Sequence, residues 1–204
     1  MDAPADRADS RAPLLQEAHP PNLLPDAMPR PYQPSLLRLL HGAVGVLSLS
    51  AWISGLVLFL RFDHRWGAPA IPFSTEWIEI HGTIGVVLFA LAPLFGLYAV
   101  TAGRARLQQP TNLLPLLALA LAIGSGTLMD EDWLVDRQLN QLTYNVHLLA
   151  WVLVGSSVLL HLASVLKRGG WPLARSMASL RLRANDLPGQ WPGQLLRGLR
   201  SGQR

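Results

Sequence analysis

Four stretches of this chain are too long and too apolar to be covered by a small water-soluble fold: about Ser35 to Leu60, Trp77 to Thr101, Thr111 to Leu128 and Leu142 to Leu166. A helix rises about 1.5 Å per residue, so roughly 20 apolar residues cross a hydrocarbon core. Inside hydrocarbon each backbone N–H and C=O has to be satisfied within the protein, and a helix does this locally. Half of the 204 residues are hydrophobic and only 15% are charged, which is the balance of a membrane chain rather than of one soluble core. The expected fold class is therefore all-α, an integral membrane four-helix bundle. Trp66, Trp77, Trp133 and Trp171 fall at or just beyond the ends of the spans, where indoles favour the membrane–water interface. The third span is the shortest and carries Pro115 in its expected first turn, with Thr111 or Asn112 as the cap.

Charge sets the orientation. Between the first and second spans, and between the third and fourth, the only basic residues are Arg61, Arg65 and Arg137, while Asp63, Glu76, Glu79, Asp130, Glu131, Asp132 and Asp136 crowd there. The rest of the seventeen Lys and Arg lie in the N-terminal region, in the loop with Arg104 and Arg106, and from Lys167 onward. Positive segments stay on the cytoplasmic side, so both termini are expected there, in the inner membrane of a cell. The net charge of +4 sits beside apolar spans and not along a soluble face, which excludes a nucleic-acid binder and implies contact with a bilayer. Residues 1–34 are proline-rich, of mixed charge and without apolar periodicity, as in a disordered tail. They open with Asp2, Asp6 and Asp9, unlike a cleavable leader. Residues 35–168 form the membrane domain and 169–204 a basic tail, whose stretch from Trp171 to Arg183 could lie on the membrane surface as an amphipathic helix or remain solvated.

Six histidines are present, of which His19 and His64 lie outside the spans and His41, His81, His147 and His161 lie within them. An ionisable ring in hydrocarbon is costly and calls for a partner in the bundle. His147 and His161 are fourteen residues apart on one helix, which returns them to nearly the same face about 21 Å apart along the axis. The first span begins inside with His41 near its start, and the second begins outside with His81 near its start. Equal depth then pairs His41 with His161 on the cytoplasmic side and His81 with His147 on the outer side.

With no cysteine in the chain, iron–sulfur clusters, thiolate zinc sites and covalent haem attachment drop out. Two neutral imidazoles at one level suit the two axial positions of a porphyrin iron, whereas zinc would recruit further ligands. Two b-type haems are therefore expected, one near each membrane face. The runs His41-Gly42-Ala43-Val44-Gly45 and His81-Gly82-Thr83-Ile84-Gly85 repeat one pattern. Gly45 and Gly85 would let a flat ring approach the backbone, and Gly55, fourteen residues beyond His41, reaches the other level. Small-residue helix packing is the competing role for each glycine. Arg38, one turn before His41, and Arg168, seven residues past His161, could pair with propionates of the inner haem or simply set topology. For the outer haem Arg65 or Arg137 is available.

These residues resemble the bacterial di-haem cytochrome b561 type, related to the b-type cytochrome subunits of membrane hydrogenases and dehydrogenases. The resemblance covers about Ser35 to Arg168: Arg38-Leu39-Leu40-His41 looks like the family's entry into the first helix, His81 like the second-helix ligand, and His147 with His161 like the fourth-helix pair. It departs where the family's second helix carries an arginine, for Pro93, Leu94, Phe95, Gly96 and Leu97 occupy that stretch. The resemblance implies electron transfer across the membrane, with quinone or quinol as the partner at one end and a redox protein as a further partner. The chain could act alone, as a homodimer or as the membrane subunit of a larger oxidoreductase. For quinol oxidation a carboxylate would accept protons, and Glu76, Glu79 and Asp130 to Asp132 lie on the expected outer side. The rival readings are a histidine-lined proton or metal transporter and a structural subunit without haem.

Overall fold

A computed structural model describes residues 34–63, 74, 76–101, 103–129, 137–179, 182 and 186–201. The N-terminal tail, with His19, lies outside the described residues, as do His64, Arg65, Trp66, Asp130 to Asp132, Trp133, Asp136 and the Arg137 side chain. Among the described residues every regular element is a helix: α1 (Ser35–Phe62), α2 (Glu76–Thr101), the single turn α3 (Arg104–Leu107), α4 (Pro110–Leu128), α5 (Arg137–Ala178), a 3₁₀ turn (Pro188–Gln190) and α6 (Trp191–Ser201). α1, α2, α4 and α5 are the four long and apolar enough to cross a membrane. The protein is an all-helical, membrane-embedded bundle.

α4 packs along α5 and α1 along α2, and α1 also meets α5. Val44 of α1, Leu88 and Ala92 of α2 and Leu119 of α4 form the buried centre, with Leu47, Ala51, Ile84, Leu91, Phe95 and Ile123 around it. Large aliphatic side chains such as Val86 and Leu159 stay about seven-tenths exposed, at 71% and 69%. In a bilayer that surface faces acyl chains, so the bundle is held by packing and buried polar bonds rather than by removing apolar area from water. Neighbouring spans are antiparallel, and one end of the bundle holds Arg38, Arg104, Arg106 and Arg168 while the other holds Asp63, Glu76 and Glu79. We call these the basic and the acidic end.

Two local features differ from the sequence reading. α4 starts one residue earlier than expected, with Pro110 in its first turn, Pro115 in its interior and no side-chain cap. A proline ring fixes φ at a helical value and lacks the N–H that would be orphaned there. That leaves Thr111 and Asn112 available for other bonds. α5 begins before Leu142 and runs past Leu166 to a break at Gly170, where φ is +60° and ψ −163°. Only glycine occupies that region at little cost, so the chain turns there and resumes as a short helical segment from Trp171 to Ala178, with Trp171 67% exposed. Of the expected amphipathic stretch from Trp171 to Arg183, Trp171 to Ala178 is helical, and Leu180, Arg181 and Arg183 lie outside the described residues. A second amphipathic helix, α6, follows, with Trp191, Gln194 and Leu195 on its half-buried face and Arg197 and Arg200 exposed.

The C-terminal segment is fastened to the start of α1. Asp186, fully buried, accepts from the backbone N–H of Ser35 through Oδ2, and from Gln194 Nε2 through Oδ1 at 2.7 Å. Ser35 is the first residue of α1, so a carboxylate 151 residues away in sequence supplies the acceptor that a local cap would give. A negative charge at a helix N-terminus is also favoured by the helix dipole. Replacing Asp186 with Ala should cost about 1–3 kcal/mol by leaving buried donors unmatched. Thermal unfolding in detergent should show a lower Tm for Asp186→Ala, with Asp186→Asn, which keeps one oxygen acceptor, falling between that variant and the parent.

Candidate functional site

The bundle brings its four intramembrane histidines together as two facing pairs. At the basic end the rings of His41 on α1 and His161 on α5 have centroids 6.2 Å apart with planes at 45°. At the acidic end His81 on α2 and His147 on α5 stand 6.1 Å apart with planes at 89°. The near-equal separations arise because α5 places His147 and His161 on one face, while α1 and α2 run oppositely and start at opposite ends.

Three of the rings are fixed through Nδ1. The Ser54 hydroxyl donates to the Ala51 carbonyl at 3.0 Å, so it accepts from His81 Nδ1–H at 2.8 Å. Ser125 donates to the Leu121 carbonyl at 2.7 Å and accepts from His147 Nδ1–H at 3.1 Å, and the Ala122 carbonyl shares that proton at 3.1 Å. His161 Nδ1–H donates to the Thr111 carbonyl and to Asn112 Oδ1, both at 3.1 Å. Carbonyl partners, and hydroxyls whose own proton is already given to a backbone carbonyl, accept from Nδ1–H and leave Nε2 for a ligand bond, the arrangement by which a second shell orients an imidazole ligand. His41 is held instead by ring packing, edge-on to Phe95 with centroids 6.0 Å apart.

The donor set fits an iron held from both sides. A metal–imidazole bond of about 2 Å on each side, plus roughly 1.2 Å from Nε2 to the ring centre, sets facing centroids roughly 6.4 Å apart. The two pairs lie within a few tenths of an ångström of that. Among the described residues no three His, Cys, Asp or Glu side chains converge, so neither pair has the further ligands that zinc favours.

The other sequence-selected residues separate by surroundings. A methyl group added at Gly45 or Gly85 would meet nothing within 4 Å, whereas at Gly55 it would lie 3.3 Å from the Trp151 indole and 3.4 Å from His81 Cε1. Gly55 therefore sits where α1 passes close to the His81 ring, and a larger residue would press on that ring and on the indole. Gly126 plays the same part opposite, with the added carbon 3.2 Å from His147 Cε1. Arg168 is exposed; its guanidinium donates to the Thr111 hydroxyl at 2.7 Å and to Ser164. Arg38 is only 5% exposed and donates to Ser35 Oγ at 3.1 Å. Glu76 and Glu79 are exposed in the first turn of α2.

Sequence reasoning passed over a buried pair at the acidic end. Asp63, 7% exposed at the close of α1, accepts from the Tyr144 hydroxyl at 2.6 Å. Tyr144 lies three residues before His147, on the same face of α5. Its spacing from His147 was the one available signal, but its partner is 81 residues away.

Residues 32–179 match a family model described as prokaryotic cytochrome b561. No curated protein and no solved structure matches the chain.

Proposed function

This chain belongs to the prokaryotic cytochrome b561 family, a membrane family of haem-binding electron carriers, and we propose that it holds two b-type haems and passes electrons across the inner membrane to or from a quinone. His41 and His161 would hold the haem at the basic, cytoplasmic end, and His81 and His147 the haem at the acidic, outer end. The observation that carries this reading is the pair of centroid separations, 6.2 and 6.1 Å, at two depths of one bundle. When bound, the haems would supply reversible one-electron chemistry, and with both histidines of each pair committed to holding the group the site would favour electron transfer over oxygen activation.

The residues of the chain do the rest. Ser54, Ser125, Thr111 and Asn112 hold the imidazole planes and, by accepting from Nδ1–H, direct Nε2 to the haem side. Gly45 and Gly85 leave the helix surface open for a flat ring, and Gly55 clears the space beside His81. Arg168, steadied by two hydroxyls, would present its outer N–H groups to a propionate of the inner haem. Arg38, turned toward Ser35 beneath the C-terminal segment, would act on the same haem through its charge.

A lipid-soluble partner is supported at the acidic end. A cleft of about 380 Å³ between α4 and α5 is lined by Leu121, Ser125, Leu128, Leu142 and Val146 among others, beside the serine that holds His147. Quinol oxidation also releases protons. Asp63 with Tyr144 is the better placed acceptor, one turn from His147 and withdrawn from solvent, compared with the exposed Glu79.

The dithionite-reduced spectrum of the purified protein, with a haem-to-protein ratio, tests the central claim: two b-type haems per chain are expected, and a colourless protein from haem-replete cells overturns it in favour of a transporter or structural subunit. His147→Ala should remove mainly the outer haem and His161→Ala mainly the inner one. For the proton acceptor, Asp63→Asn should slow quinol-dependent haem reduction by about 10²-fold, within the usual range for a lost acid–base group. Glu79→Gln should leave the rate unchanged, and the opposite ranking would return the role to α2.

A further inference from the structure

Between the two histidine levels, α1 and α5 are joined by a feature that neither ligation nor proton release uses. The indoles of Trp52 and Trp151 are stacked with centroids 4.9 Å apart and planes within 10°. Each donates to the other's backbone: Trp52 Nε1–H to the Trp151 carbonyl at 3.2 Å, and Trp151 Nε1–H to the Trp52 carbonyl at 2.9 Å. Phe59 continues the stack, 6.3 Å from the Trp151 ring with planes at 16°.

Glycines on both helices make the stack fit. A carbon added at Gly155 would come within 2.7 Å of Trp52 Nε1 and 3.1 Å of its Cε2. At Gly55 the added carbon would touch the Trp151 indole and His81 Cε1 together, at 3.3 and 3.4 Å, so that indole and that imidazole flank one residue. Along α5, Trp151 lies about 6 Å and Gly155 about 12 Å inward of His147, on a path of about 21 Å to His161. The stack thus starts against the acidic-end pair and reaches toward the basic-end pair, at a depth where α5 otherwise offers Val152, Leu153 and Val154.

We propose that the Trp52–Trp151 stack is the electron path between the two haem sites, an inference that rests on the two-haem reading. Two nearly parallel, stacked π systems couple donor and acceptor through a close-packed medium better than aliphatic side chains do. The reciprocal hydrogen bonds hold them in that register and satisfy both indole donors away from water. The path would carry one electron between the two sites, the donor site being oxidised and the acceptor site reduced by that one electron. No bond forms or breaks, no proton moves, and neither indole is itself oxidised.

The test uses the full chain in nanodiscs, reduced from one face by a membrane-impermeant photoreductant and followed by freeze-quench EPR. Imidazole planes at 45° and 89° give the two ferric sites different g-anisotropy, so the electron can be followed from one to the other. Trp52→Leu and Trp151→Leu should each slow transfer by about tenfold, because aliphatic gaps replace packed ring atoms. Haem content and both midpoint potentials should stay as in the parent. Trp52→Phe, which keeps a ring and loses the hydrogen bond, should stay within about threefold of the parent. Far-ultraviolet circular dichroism gives a readout independent of electron transfer: the parent should show an indole exciton couplet that either leucine variant abolishes, and its absence from the parent overturns the stack. Should the leucine variants fail to assemble, Gly155→Ala decides, since it displaces Trp52 without removing an aromatic ring; it too should slow transfer. Unchanged rates in variants that retain two haems overturn the path while leaving the two-haem reading intact. A haem count other than two in the parent overturns that reading, and the path with it.

Discussion

Every polar group carried into hydrocarbon needs a partner there, and the bonds that meet this need are also the bonds that shape the site. The Nδ1–H groups of His81, His147 and His161 are taken up by Ser54, by Ser125 with the Ala122 carbonyl, and by Thr111 with Asn112. In water such bonds would be interchangeable with solvent. In the bundle they fix tautomer and ring plane together, and the nitrogen left over points away from the helix that holds the ring. Backbone carbonyls at Ala122 and Thr111 serve because a carbonyl has a second lone pair beyond its helical bond.

Much of this was legible in the sequence because it depends on one-dimensional distances. Fourteen residues between His147 and His161 fix a face and a separation on a single helix, and the alternating direction of the spans does the remaining work for His41 and His81. What the sequence did not disclose depends on contacts between distant segments. Asp186 reaches Ser35 across 151 residues, Trp52 reaches Trp151 across 99, and Tyr144 reaches Asp63 across 81. Nothing in the spacing of one partner marks the other. Arg38 illustrates the difference: its spacing from His41 left it as a propionate partner or a topology-setting charge, and what that spacing did not disclose is that Arg38 is buried and donates to Ser35, whose own N–H is taken up by Asp186.

The start of α4 shows how a small local error hides a functional arrangement. Reading Thr111 or Asn112 as a cap assigns their oxygens to the helix's own N–H groups. With Pro110 starting the helix, those oxygens are released for tertiary bonds. Asn112 Oδ1 and the Thr111 carbonyl take the His161 proton, while the Thr111 hydroxyl accepts from Arg168. His161 and Arg168 at the basic end therefore share one turn of α4.

That shared turn makes the two ends of the bundle chemically unlike even though their imidazole separations match. At the basic end the second shell comes from a helix start and carries a cation, so negative charge added there is met by Arg168. At the acidic end it comes from serines that also donate to their own helix, Ser54 and Ser125, and Tyr144, one turn of α5 from His147, is bonded to Asp63. A neutral hydroxyl shell beside a carboxylate does little to offset negative charge, and an anion near a reduced centre disfavours the added electron. The haem proposed between His81 and His147 should accordingly have the lower potential of the two, and charge placement alone then makes transfer from the outer to the inner level the downhill direction.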